Sequence, residues 1–131
     1  MIYRTRTFTR WMRKVGLADE VLCQAVVEIS QGLLEAYLGG NLVKKRIALP
    51  GRGKRGGTRT IVATNHDNRW IFLFGFEKND RANLNNYELK ALQELAGEYL
   101  SFNIQQLQVA VDNGNLSEVG YEDTKTEESN S

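Results

Sequence analysis

A chain of 131 residues with one cysteine, one proline and one histidine lacks the parts from which many sites are built. Cys23 has no second thiol to pair with, so no internal disulfide holds the fold, as expected of a protein in the reducing cytoplasm. A single Cys, a single His and no clustered carboxylates leave no recognisable ligand set, so neither a metal nor a cofactor is expected. The longest apolar run, Trp70 to Phe76, is far too short to cross a bilayer, and no membrane partner is expected. Arg4, Arg6 and Arg10 precede no apolar stretch of the secretory kind. What remains is one ordinary globular domain, with 41% hydrophobic residues to build a core unaided.

Acidic residues are missing from one stretch in particular. Lys44 to Arg59 holds Lys44, Lys45, Arg46, Arg52, Lys54, Arg55 and Arg59, with no carboxylate among them. It also holds four glycines and the only proline. A cationic, glycine-rich loop between strands suits a polyanion, because backbone amides and guanidinium groups both approach phosphate closely. The formal net charge of +1 hides this, since residues 120–131 carry −3 and residues 1–119 carry +4. Local positive charge of this kind is the footprint of a nucleic-acid binder.

Periodicity supplies the rest of the frame. Ile2 to Thr7 alternates as a short edge strand, and Phe8, Trp11, Met12 and Val15 then follow helical spacing up to Gly16. Asp19 is the expected N-cap of a second helix with the stripe Val21, Leu22, Ala25, Val26 and Ile29. Leu33 to Leu38 is read as an irregular connection before the Gly39-Gly40 turn. Leu42 to Leu49 and Thr58 to Thr64 read as strands; Lys45 falls on the apolar side of the first, so it snorkels or a bulge shifts the register. Asn65 to Asn68 forms a hairpin tip. Trp70 to Glu77 is apolar on both faces and therefore central, with Trp70, Phe72, Phe74 and Phe76 together on one side. Asn85 and Glu88 make a capping box for an amphipathic helix, and Ile104, Leu107 and Val111 mark a shorter one. The expected class is α+β, a small, mostly antiparallel sheet with an N-terminal helical hairpin and C-terminal helix. Residues 1–119 form the domain, and residues 120–131 an acidic, disordered tail.

Four segments in order, Thr7-Phe8-Thr9-Arg10-Trp11, Leu38 to Arg46, Gly51 to Arg59 and Phe72 to Asn79, resemble the RelE/ParE superfamily of toxin–antitoxin toxins, in its HigB-like branch. The resemblance implies a RelE-like fold and an endoribonuclease that cuts mRNA, commonly in the ribosomal A site. It also implies a co-expressed antitoxin, usually a helix-turn-helix protein. By that resemblance Arg59, which opens the strand after the loop, stabilises the scissile phosphate. Lys78 matches a second recurrent cationic position, Arg81 lies close to it in sequence, and Lys44, Arg46, Arg52, Lys54 and Arg55 make up the basic RNA-contacting set. Thr58 stands where relatives often carry an aromatic residue. Members of the superfamily also include gyrase inhibitors without nuclease activity, so a non-nuclease toxin or a non-catalytic RNA-binding protein is the alternative.

Metal-free RNA cleavage runs by attack of the 2′-OH on the adjacent phosphate. Cations that surround the phosphorane supply much of the rate. Proton-transfer groups are scarcer: His66 sits at the hairpin tip, Tyr87 and Tyr99 fit helix packing, and Lys78 is the choice if a lysine among cations serves. Stabilisation by cations is therefore expected to dominate, with weak or ribosome-supplied proton transfer. Lys54 is not followed by Ser or Thr, so the loop is no Walker motif.

Overall fold

The computed structural model describes residues 1–49, 57–78, 81 and 83–120. Arg52, Lys54, Arg55 and all of the acidic tail except Gly120 therefore lie outside the described residues. In chain order the elements are β1 (Ile2–Thr5), α1 (Arg6–Val15), α2 (Asp19–Ser30), β2 (Ala36–Gly39) and β3 (Leu42–Ile47). There follow β4 (Thr58–Thr64), β5 (Trp70–Glu77), α3 (Asn86–Ser101), α4 (Ile104–Asp112) and β6 (Leu116–Glu118). The strands form one sheet in the order β2-β3-β4-β5-β1-β6. β1 runs parallel to β5, and the other neighbours are antiparallel. The expected α+β class with a mostly antiparallel sheet is the architecture observed.

Each face of the sheet buries its own cluster. On one side Phe8, Met12, Leu22, Ala25 and Ile29 of α1 and α2 pack on Val43, Val62 and Phe72. On the other, Ala96, Leu107 and Ala110 of α3 and α4 pack with Leu42, Ile61, Ala63, Ile71 and Leu73. Fully burying the Val, Leu, Ile, Met and Phe side chains among these contributes about 1.5–3 kcal/mol each, so both helical layers are held by hydrophobic burial. β5 carries apolar residues on both faces, and every residue of β4 is buried, because both faces of the sheet are covered.

Even alternation along β5 fails halfway. Ile61 pairs with Phe74 but Val62 pairs with Phe72, so Leu73 is an extra residue and the strand changes phase there. Trp70 and Phe72 join the α1/α2 cluster, whereas Phe74 and Phe76 join the α3/α4 cluster rather than sharing one face with them. Gly75 then lies under Trp11, where a Cβ would sit 2.4 Å from the indole ring, so only glycine lets the ring lie on the strand.

Other local expectations meet the structure unevenly. The Asn85/Glu88 capping box forms, and a second one, Asn103/Gln106, opens α4. Asp19 is not an N-cap: Ala18 takes that position without a side-chain bond, and the Asp19 carboxylate instead pairs with Arg4 at 3.1 Å. The segment read as an irregular connection contains β2, a four-residue edge strand that the short Ala-Tyr-Leu-Gly pattern signals poorly. Lys45 faces α2 and ion-pairs with Glu28 at 2.8 Å, with no break in the β3–β4 register. β6 follows Gly114, whose φ of +85° turns the chain out of α4 and back beside β1.

Candidate functional site

The register of β3, β4 and β5 lines up the basic residues in rows. Arg46, Arg59 and Phe76 lie side by side across the three strands, and Lys44, Ile61 and Phe74 form the next row. Ile61, Phe74 and Phe76 belong to the α3/α4 cluster, which places these rows on the α3 side of the sheet. The phase change at Leu73 is what puts both phenylalanines there.

Lys44 and Arg59 are buried and share one carboxylate. Glu35, just ahead of β2, accepts from Arg59 Nε at 2.6 Å on Oε1 and from Lys44 Nζ at 3.1 Å on Oε2. The two cationic side chains are each 10% exposed, and that of Glu35 is 33% exposed, so the acid is the solvent-facing member. Arg59 also donates from Nη1 to the Gly57 carbonyl at 3.4 Å, and Lys44 donates to Asn83 Oδ1 at 3.4 Å. Two cations this deeply placed require a counter-charge, which Glu35 provides.

Arg81 closes the same side from the segment before α3. Its Nη1 donates to Glu88 at 2.6 Å, and its guanidinium carbon lies 5.8 Å from the Phe74 ring and 5.9 Å from the Phe76 ring. The bond to Glu88 raises the Arg81 pKa, and the same bond, helped by the Asn85 amide, lowers that of Glu88. Arginine over aromatic faces combines charge with a weakly hydrated plane, an arrangement suited to phosphate and base recognition.

The remaining candidates are more exposed. Lys78 follows β5 and is exposed, and it has no hydrogen bond or ion pair among the described residues. Arg46 is exposed on β3 beyond the last residue paired with β2, and at that open edge it also borders a groove of ≈ 430 Å³ that reaches round to Glu20, Gln24 and Glu28 of α2. The lack of a side chain at Gly57 leaves room for it, since a Cβ there would sit 3.2 Å from Arg46 Nε.

His66 sits beyond the far end of β4 from Arg59, at a φ of 60°, between the rings of Tyr37 and Trp70. At about 3.3 Å per residue, the five strand residues from Arg59 to Thr64 alone put about 16 Å between Arg59 and that end of β4. Tyr87 is 81% exposed on α3. Tyr99 packs against Phe102, and burial raises its pKa. Among the described residues no group of three His, Cys, Asp or Glu side chains comes together for a metal. No helix among them is long and apolar enough to cross a membrane.

Glu35 is the residue that sequence reasoning passed over. A signal for it exists, because it is the only acidic residue between Glu28 and Asp67 in an otherwise basic stretch. The side of the sheet thus assembles Lys44, Arg59 and Arg81 with two carboxylates and two aromatic rings, a set that can bind an anion and stabilise charge developing on it.

Among known families, the one described as "RelE toxin of RelE / RelB toxin-antitoxin system" matches residues 1–119. No curated protein matches the chain.

Proposed function

This chain belongs to the RelE toxin family, and from that premise we propose that it is an endoribonuclease of the HigB-like kind that cuts mRNA on the ribosome. The family makes it the toxin of a toxin–antitoxin system with an antitoxin partner. In the proposed reading that antitoxin is a helix-turn-helix protein and the pair acts in the cytoplasm. The observation that carries the reading is the shared placement of Lys44, Arg59 and Arg81 beside Phe74 and Phe76.

The reaction is attack of a ribose 2′-oxygen on the adjacent phosphorus, with loss of the 5′-oxygen and formation of a 2′,3′-cyclic phosphate. Arg59 and Arg81 hold the phosphorane oxygens, as the principal stabilisers of charge, and Lys78 is the exposed cation nearest along the chain to serve the leaving oxygen. Arg46, Arg52, Lys54 and Arg55 hold the flanking backbone. A carboxylate and a phosphodiester accept from the same donors, so the substrate phosphate exchanges with Glu35 at Arg59 and Lys44.

The test is a brief pulse of expression followed by mapping of mRNA 5′ ends. New ends and growth arrest with the natural chain, both lost with Arg59→Ala, are the expected result. Full toxicity of Arg59→Ala would overturn the mechanism. The pairing of Lys44 and Arg59 with Glu35, and the distance of His66, favour a second reading in which the toxin binds without cutting. Arrest with intact mRNA and a DNA-damage response would select it.

A further inference from the structure

Lys44, Arg59 and Arg81 have acidic partners, but three cations on α1 do not. Arg10, Arg13 and Lys14 are exposed, α1 contains no acidic residue, and none of the three has an ion pair or hydrogen bond among the described residues. Their spacing (i, i+3, i+4) puts them within one turn on one face, where like charges repel. Phe8 and Met12 face the sheet on the opposite side. Arg13 and Lys14 lie in the last turn, where the helix dipole favours positive charge. That accounts for two of them, but not for Arg10 or for the missing carboxylates.

We propose that Arg10, Arg13 and Lys14 form a docking surface for the sugar–phosphate backbone of folded, double-helical RNA, separate from the sheet site. The choice of RNA over other polyanions rests on the function proposed above. A membrane surface would call for apolar side chains flanking the cations, and those of α1 are turned into the core. Single-stranded RNA is held by exposed aromatic rings, whereas Phe8 is buried and Trp11 is spread over Gly75. Charge without stacking suits recognition of a duplex by its phosphates and shape. Placement supports the same conclusion. Phe8 packs on Phe72 and Trp11 on Gly75, so α1 runs along β5 towards the end from which Lys78 and Arg81 follow.

The experiment is fluorescence anisotropy of a labelled RNA hairpin with the full chain, titrated at several salt concentrations. The triple variant Arg10→Gln, Arg13→Gln, Lys14→Gln is expected to bind at least tenfold more weakly. Its slope of log affinity against log salt should shrink by about two to three, one per lost phosphate contact. Should the triple variant fail to fold by circular dichroism, the three single variants carry the test, each lowering the slope by about one. Unchanged affinity and slope overturn the surface, even where the natural chain cuts mRNA normally. Unchanged hairpin binding with a lost antitoxin complex assigns the face to an acidic protein segment and overturns it equally. A natural chain that cuts no mRNA, beside a triple variant that loses the hairpin, sinks the cleavage reading and leaves the α1 surface standing.

Discussion

Lys44, Arg59 and Arg81 on the α3 side of the sheet each touch a carboxylate within 3.1 Å, whereas Arg10, Arg13 and Lys14 on α1 touch none among the described residues. The first group is wholly or partly withdrawn from water, and a cation there without a counter-charge is costly. The second group is solvated and tolerates its own repulsion. A basic sequence therefore does not say where free positive charge lies. In this chain the stretch richest in Lys and Arg folds Lys44, Lys45 and Arg59 against Glu35 and Glu28, while a helix of ten residues presents three with no acid opposite among the described residues.

The comparison can be broken most sharply where its two regions meet. Gly75→Ala would drive a methyl group into Trp11, part α1 from β5 and lower stability by about 1–3 kcal/mol, read by urea denaturation. An effect near zero would mean that Trp11 moves aside freely. Next in size, Glu35→Gln leaves Lys44 and Arg59 without a counter-charge. Because Glu35 is one-third exposed, the cost is about 1–2 kcal/mol rather than the full value for a buried pair. Inorganic phosphate should restore more stability to that variant than to the natural chain, which a thermal-shift titration would show. The same kind of change on α1 has the opposite sign. Neutralising Arg10 relieves repulsion with its neighbours and raises stability by about 0.2–0.5 kcal/mol per pair removed.

The smallest effect is one of pH. Glu28 and Glu88 have folded pKa values below their unfolded ones, Glu28 through its bonds from Lys45 and Gln24, and Glu88 through Arg81 and the Asn85 amide. The unfolded chain thus binds more protons in between, so their contribution is complete above about pH 4.3 and is lost as pH falls through the folded values. Denaturant midpoints measured down this range should decline, and Glu28→Gln should flatten the decline.

Much of the fold was legible because local rules agreed with tertiary demands. Asn85 and Glu88 cap α3 as read, and β4 and β5 have the bounds their patterns suggest. The failures have physical causes. An extra residue at Leu73 leaves no trace in an all-apolar strand, so the division of the four aromatics between two faces was invisible. β2 and β6 are short edge strands whose existence depends on neighbours distant in sequence. At the site the basic residues could be read, but their neutralisation could not, because Glu35 meets Arg59 only once β2 has paired with β3.

β1 lies between β5 and β6, and Arg4 donates to the carbonyl of Glu118, 114 residues further along the chain. Closing so long a loop costs entropy before any pairing rewards it, and such contacts slow folding. The strand synthesised first is therefore among the last to be enclosed on both edges. The order of manufacture and the order of completion run opposite ways in this molecule.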